Sequence, residues 1–288
     1  KYDVMIGTAT NGTVSNLDHK IAVVKIVTNG GQKGVSIRGA WGDKLYSAAS
    51  ADATTYLAVP VATATTLYAS YYDGSNCYCY ERSKAEATSL ANTMAKFDIT
   101  GTETVKYPAT GIVAGHEYVT IGNEKWATCN VGACVPWEYG NYYNWGITID
   151  QRKMDNNSKY STGKSDIKKT AYDAAYVNWG NGWMMPNETQ MSKCDQYGTD
   201  HYSKNDWEAL NGFNGRKIGT TSAYVFLPAA GYCYFGAPRS QGDYGDYWSS
   251  TPCSAKAMSL YLDRSSAGMN YGARDYGYSV RPLLSDSE

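Results

Sequence analysis

The sequence predicts a mixed fold: an N-terminal all-β sandwich over residues 1–106, a linker over 107–116, and an α+β domain with long loops over 117–288. Three observations carry this reading. The first hundred residues contain short apolar strands separated by turn signals, the pattern of a sandwich. Residues 101–115 then turn Thr-, Gly- and Pro-containing and lose periodicity, as a linker does. Seven of the eight tryptophans (Trp126, Trp137, Trp145, Trp179, Trp183, Trp207 and Trp248) lie beyond it, so the composition changes near residue 110. A chain of 288 residues is long enough for two such domains, each with its own core.

The elements follow in order. Ile21 to Val27 is an apolar strand, closed by a turn at Gly30-Gly31, and Val35 and Ile37 mark the next. Tyr56 to Val61 is another. Thr65 to Tyr72 and Cys77 to Arg82 flank Asp73-Gly74-Ser75-Asn76, a hairpin signal. Ser83 and Glu86 have capping-box spacing ahead of Ala85 to Ala95, which predicts one short helix, and Phe97 and Ile99 would close the sheet. In the second half the spacing predicts helices over Lys168 to Trp179 and, after Pro186-Asn187, over Glu188 to Gln196. Val225 to Leu227 and Met258 to Leu262 read as strands. The rest is loop, and long loops within a compact domain usually carry function.

Composition excludes some classes. The balance of 26 basic against 27 acidic residues argues against a nucleic-acid partner. No stretch reaches the roughly 18–20 apolar residues of a membrane span. Lys1 is not an initiator Met, which reads as an N-terminus trimmed by processing or design, so a signal or lipid anchor would lie outside the chain. Aromatic usage is lopsided, with 27 Tyr and 8 Trp against 4 Phe. Two explanations stand: Tyr and Trp suit recognition surfaces, and Tyr suits half-buried strand faces in exported β proteins. Seven cysteines, an odd number, leave at least one unpaired in a monomer. Cys77 and Cys79 share a strand face. Cys129 and Cys134 are near enough in sequence to bridge, with free thiols as the alternative.

Five motifs then occur in order. They are Trp126-Ala127-Thr128-Cys129-Asn130-Val131-Gly132-Ala133 with Glu138 to Gly146; Gly182-Trp183-Met184-Met185-Pro186; Phe226 to Tyr232 (Phe-Leu-Pro-Ala-Ala-Gly-Tyr); Gly245 to Thr251 (Gly-Asp-Tyr-Trp-Ser-Ser-Thr); and Gly277 to Leu283 (Gly-Tyr-Ser-Val-Arg-Pro-Leu). Over residues 115–284 they resemble the FISUMP major paralogous domain of gut and rumen anaerobes. The resemblance implies a C-type-lectin-like fold, related to the formylglycine-generating enzymes, in which a few twisted strands and two helices support long loops. The stretch from Tyr247 to Pro282 also resembles the variable region of proteins diversified by retroelements, whose frame stays fixed while intervening positions meet ligand. The N-terminal half resembles, in pattern only, a fimbrillin-type sandwich.

The resemblance implies a display segment between Gly231 and Gly277. Its candidates are Tyr234, Phe235, Arg239, Gln241, Asp243, Tyr244, Asp246, Ser259, Tyr261, Asp263, Ser265, Met269, Tyr271, Arg274, Asp275 and Tyr276. Strand alternation supports part of this, since Ser259, Tyr261 and Asp263 alternate with Met258, Leu260 and Leu262. Interleaved Tyr, Asp, Ser, Arg and Gly is also how antibody paratopes are built; a solvated loop with incidental tyrosines is the alternative. Trp126, Trp183 and Trp248 read as core. Arg281 reads as bound to loop carbonyls or a carboxylate. Cys233 and Cys253 lie inside the display segment, either bridged or as stray products of diversification. Asp150, Asp155 and Asp166 either contribute to a calcium site or are solvated.

Catalysis has little support. His19, His116 and His201 are scattered, with no Gly-x-Ser-x-Gly elbow and no HExxH helix, and Cys233 and Cys253 sit in no motif matching the formylglycine-generating cysteines. The expectation is therefore a non-enzymatic, exported binding protein or adhesin without cofactor, on the cell surface, outer membrane or fimbrium. Its partner would be a protein or glycan on another cell, phage or host surface, and other pilus subunits are candidate partners too. The alternatives are a structural pilus subunit with no outside ligand and, third, an enzyme of the formylglycine-generating type.

Overall fold

The computed structural model describes residues 5–10, 13–19, 21–31, 33–38, 45–47, 53–60, 67–82, 94–98, 100 and 104–285. Among them strands dominate and the α-helices are short, so the fold is β-rich. The chain divides into two compact units, Lys1–Tyr107 and Pro108–Glu288. No helix of the described residues is long and apolar enough to cross a membrane.

The first unit contains β1 (Met5–Thr10), β2 (Thr13–His19), β3 (Ile21–Val27), β4 (Gly34–Arg38), β5 (Leu45–Ser47), β6 (Thr54–Pro60), β7 (Leu67–Tyr72), β8 (Asn76–Arg82), β9 (Met94–Asp98) and β10 (Val105–Pro108). β1 and β2 pair with each other. β3 lies between antiparallel β6 and parallel β9, and a five-stranded sheet runs β10-β8-β7-β4-β5. Period-two alternation explains the burial: Val24 and Ile26 are fully buried while Lys25 and Val27 are half-buried. Cys77 and Cys79 face inward together. The β7–β8 turn is held by the Asp73 carboxylate, which accepts 2.8 Å bonds from the amides of Ser75 and Asn76.

Two expectations change here. The helix proposed over Ala85 to Ala95 lies mostly outside the described residues, but Met94 and Ala95 belong to strand β9, where Phe97 also sits. Ile99 is outside the described residues. The segment expected to be a linker, 107–116, is largely strand: Tyr107 and Pro108 end β10, which pairs with β8, and Gly111–Val113 form the first strand of the second unit, paired with the strand that opens at His116.

That unit contains β11 (Gly111–Val113), β12 (His116–Ile121), β13 (Glu124–Ala127), α1 (Ala174–Trp179), β14 (Trp183–Met184), α2 (Glu188–Met191), β15 (Lys204–Leu210), β16 (Phe213–Gly219), β17 (Tyr224–Pro228), β18 (Tyr232–Tyr234), β19 (Ala237–Arg239), β20 (Tyr244–Cys253), β21 (Lys256–Asp263), β22 (Ala267–Ala273) and β23 (Leu283–Leu284). Three sheets matter for the site: β11-β12-β13-β23-β14, β15-β16-β17 and β20-β21-β22. In the first, the last strand inserts between β13 and β14. Both helices are shorter than their periodicity suggests. Asp173 starts α1 by accepting from the amides of Ala175 (2.9 Å) and Tyr176 (3.0 Å), leaving 168–173 as turns. Asn187 and Gln190 form a capping box at α2, which passes into a 3-10 turn over Ser192–Cys194. One apolar core gathers Val119, Ile121, Trp126, Met191, Ile218, Leu227, Tyr247, Leu260, Leu262 and Leu283.

Residues 128–173 contain no strand or α-helix, so their carbonyls have no ladder to join. Backbone amides in turns satisfy many of them, among them the carbonyls of Val131, Tyr142, Trp145 and Ile167, and buried side-chain donors take others and join them to carbonyls of neighbouring strands and turns. Arg281, fully buried, donates to the carbonyls of Ala127 (3.1 Å), Thr128 and Phe226 (2.9 Å) and to the Asn130 side-chain oxygen (2.8 Å). Arg274, 3% exposed, donates to the carbonyls of Ser161, Gly163, Ser254 and Lys256 and lies 4.2 Å over the Trp145 ring. Arg216 serves Asp263, Arg264 and Asn205 in the same way. The indoles of Trp145 and Trp248 donate to the carbonyls of Ser249 (2.9 Å) and Tyr143 (2.7 Å). Arg274, expected on the display surface, is thus an internal brace: its fork spans four carbonyls that nothing else among the described residues reaches together.

Removing the Arg281 fork should strand four buried acceptors. Arg281→Met is expected to lower the unfolding free energy by about 3–5 kcal/mol in urea titration, and Arg281→Lys by nearly as much, since one ammonium cannot span them. A loss under about 1 kcal/mol for either variant would mean the carbonyls find water instead.

Candidate ligand-binding face

Strand register determines which side chains share a surface. Across β20 and β21, Tyr244 lies opposite Asp263, Asp246 opposite Tyr261, and Trp248 opposite Ser259. Directly opposed residues point to one side of a sheet, so these six form one face. The other face carries Tyr247, Leu260 and Leu262 into the core. On the far edge of β20, parallel bridges join Gly231 to Gly245 and Tyr247 to Ser279, and an antiparallel bridge joins Cys233 to Gly277. By alternation Tyr232, Tyr234, Tyr276 and Tyr278 then come round to the side of Tyr244 and Trp248.

The rings meet in a continuous band. Centroid separations run 5.4 Å from Tyr261 to Tyr244, 6.1 Å on to Tyr232, 5.6 Å to Tyr276, 5.1 Å to Tyr234 and 4.5 Å to Phe235. The five tyrosines are half-buried and Phe235 is 61% exposed. Phe235 is held out at the β18–β19 turn with φ +50°, a left-handed conformation costly for an aromatic residue. At the inner end Trp248 stacks on Tyr278 at 4.1 Å. Both rings lie on Gly272, where a Cβ would come within 2.6 Å of the Tyr278 ring and 2.8 Å of Trp248.

Asp246 sits in the middle of this face, opposite Tyr261 and flanked at two-residue spacing by Tyr244 and Trp248. It is 6% exposed. Its backbone is bonded to Gly231 and Ser279, but no donor among the described residues reaches its carboxylate. The contrast with other buried aspartates is sharp. Asp173 accepts from four backbone amides, those of Lys169, Ala175, Tyr176 and Met185. Asp150 pairs with Arg152 at 2.7 Å. Desolvation alone acts on Asp246, and it pushes the carboxyl up to about 7. Nearby Asp263 behaves oppositely. Although burial pushes it up, bonds from the amides of Ser266 (2.8 Å) and Ser265 (2.7 Å) and from the Tyr261 hydroxyl (3.0 Å) hold it below the usual carboxylate range.

Of the sixteen candidates, Tyr234, Phe235, Tyr244, Tyr261, Asp263 and Tyr276 come together on this face, with Asp246 in its floor. Three are not displayed. Asp246 and Ser259 are buried because their strands pack under the rings, and Ser259 Oγ finds no partner among the described residues. Arg274 is the third, as above. Met269 and Tyr271 point the other way, since they pair with Leu260 and Met258. Met269 packs on the core and Tyr271, 52% exposed, lies under Lys256 at 4.5 Å. Arg239 is exposed at the end of β19, directly opposite Tyr232 and so on the side of the rings. Gln241, Asp243 and Ser265 are exposed loop residues, Gln241 donating to the Tyr142 hydroxyl at 2.6 Å; Asp275 is half-buried.

Sequence reasoning missed Tyr232 and Tyr278, which it assigned to frame motifs. The signal was the repeated Tyr-x-Tyr of Tyr232-Cys233-Tyr234 and Tyr276-Gly277-Tyr278, each placing two rings on one side of an extended segment. None of the seven cysteines is in a disulfide, so neither proposed bridge forms, and burial pushes Cys233 up to about 11. Asp150, bound by Arg152, is not gathered with the exposed Asp155 and Asp166. A cleft of about 620 Å³ lies at the opposite end of the β20–β21 ladder, between Tyr160, Lys164, Pro252, Ser254 and Arg274. The Arg274 guanidinium there is already taken up by carbonyls.

Residues 194–283, less than half of the chain, match a family described as a domain of unknown function (DUF8237). The match contains the whole aromatic face. No curated protein and no solved structure matches.

A carboxyl raised in the folded state above its unfolded value of about 3.9 holds its proton when the unfolded chain has lost it, so its contribution to stability falls as pH rises from about 4 to 7. Asp246→Asn abolishes that loss. Its melting temperature should exceed that of the parent by at least about 4 °C at pH 8 and show no gain at pH 4. Equal shifts at both pH values would mean Asp246 titrates normally.

Proposed function

We propose that the protein is an exported, surface-displayed adhesin, carried at a pilus tip or anchored to the cell surface. On this reading its C-terminal unit is a C-type-lectin-like recognition domain akin to the FISUMP family, and the N-terminal unit is a fimbrillin-type sandwich that carries it. The ligand is a protein or glycan on another cell, phage or host surface. One observation carries the reading: six aromatic rings in unbroken contact share one partly exposed side of the β18, β20 and β21 region. Tyrosines of this kind offer large contact area with little entropy to lose, as binding surfaces do. Contiguous aromatic surface also costs solvation free energy that a partner would recover.

The same reading divides the segment 231–277 into two roles. Positions that vary between sibling copies are the outward ones, Tyr234, Phe235, Arg239, Gln241, Asp243, Tyr261 and Tyr276. Buried Arg274 and Ser259 belong with the fixed frame of Trp248 and Arg281.

A glycan and protein array probed with the full chain tests this directly. Changing Tyr244, Tyr261 and Tyr276 together to Ala should reduce binding more than tenfold, with circular dichroism unchanged, whereas Tyr271→Ala should bind as the parent does. Loss in Tyr271→Ala with binding kept in the triple variant would move the site off this face. No ligand on any array, with assembly into pili intact, would favour a structural subunit.

A further inference from the structure

The aromatic face contains one group that its own fold leaves uncompensated. Asp246, 6% exposed as a residue, turns its carboxylate to the side on which Tyr244, Tyr261 and Tyr278 stand, and that carboxylate receives no hydrogen bond among the described residues. No lysine, arginine or histidine of the described residues acts on it, since burial alone shifts it. An unpaired buried carboxylate is a standing cost, tolerated most readily where a ligand supplies the partner. The rings around it define what that partner is. The π faces of tyrosines attract cations, and they do so more strongly where water is excluded. Two further carboxylates border the face: Asp243 acts on Tyr244, and Asp263 accepts from the Tyr261 hydroxyl. The cation beside Asp263, Arg216, has its guanidinium committed to the carbonyls of Asp263, Arg264 and Asn205, and Arg239, opposite Tyr232, is exposed at the outer rim.

We propose that this face recognises a positively charged organic group of the ligand, an alkylammonium head that stands over Asp246 with its carbon substituents against Tyr244, Tyr261, Tyr276 and Tyr278. The inference rests on the binding reading above and names the chemistry of what is bound. An ammonium is the missing half of the Asp246 ion pair, and its methyl or methylene carbons suit tyrosine faces. A neutral ligand of the same shape leaves the carboxylate buried and alone. A hydroxyl-rich sugar without an amine does so too.

The test uses the full chain and three small probes: choline, n-butylamine, and 3,3-dimethylbutan-1-ol, the uncharged isostere of choline. Binding is followed by NMR chemical-shift titration. The two ammonium probes are expected to bind in the millimolar range at pH 8, at least about tenfold tighter than the alcohol, with shifts on the Tyr244, Tyr261 and Tyr276 rings. Asp246→Asn should abolish the preference for charge while the alcohol binds as before. Between pH 8 and pH 6 ammonium affinity should fall about tenfold in the parent, as Asp246 gains its proton, and stay flat in Asp246→Asn. Tyr244, Tyr261 and Tyr278, pushed up by burial, stay protonated over that interval, and Asp263, held below the usual carboxylate range, stays charged. Equal affinity for choline and its isostere overturns the proposal. So does no ammonium binding at about 50 mM, or an Asp246→Asn variant that keeps the preference. The failures are separable. If the array ligand is lost in the tyrosine variants but not in Asp246→Asn, the face binds without reading charge. If ammonium binds through Asp246 and no array ligand exists, the adhesin reading fails and the cation site stands.

Discussion

The structure of the second unit depends on where its carbonyl groups go. Residues 128–173 run through a compact unit without a strand or an α-helix, and buried backbone oxygens there need donors that no ladder supplies. Backbone amides in turns supply many of them, and arginine and tryptophan side chains supply others. Arg281 and Arg274 each collect several carbonyls from segments distant in sequence, and Trp145 and Trp248 each take one. The bonds of Arg274, Trp145 and Trp248 tie the loops to β20 and β21, and those of Arg281 tie them to β13 and β17. Neither fork faces a carboxylate; burial lowers both guanidinium pKa values, yet the charge is met by oriented dipoles.

That allocation of donors shapes the candidate site. The buried arginines donate to backbone oxygens, Arg152 donates to Asp150, and among the described residues no donor reaches the Asp246 carboxylate. The carboxylate therefore stays in the floor of the aromatic band, uncompensated by its own chain. The band itself follows from period-two alternation. Gly245, Tyr247 and Cys233 turn inward, and the tyrosines beside them turn out. Gly272 then leaves space for Tyr278 and Trp248 to lie flat, which sets the height of the inner rim. On the proposed reading stability and recognition are coupled at one residue, because the charge that weakens the free fold is the one a cationic ligand would satisfy.

Much of the scaffold was legible because alternation and turn chemistry are local. Ile21–Val27, the Asp73 hairpin and the Met258–Leu262 strand lie where their patterns indicated. The helices were overextended, since 3.6-residue spacing continues upstream of Asp173 although that residue's carboxylate caps the helix there. The site was half legible. Tyr234, Tyr244, Tyr261 and Tyr276 are where a displayed tyrosine should be. Tyr271 is not, because parity does not carry across the β21–β22 turn: Tyr261 pairs with Gly268, and Tyr271 with Met258 on the other face. Arg274 and Asp246 could not be read at all. Whether an arginine gathers carbonyls or meets solvent, and whether an aspartate has a donor, depends on segments a hundred residues away.

The proposed recognition depends on Asp246 being unpaired, as it is among the described residues, and its protonation in the free protein reports that directly. Selective labelling of aspartate carboxyl carbons in the full chain, assigned with Asp246→Asn, would give its titration curve by NMR. A midpoint near 7 that drops when an ammonium probe is present is the predicted result. A midpoint near 4 in the free protein would show that Asp246 is already paired or hydrated, and would contradict the account.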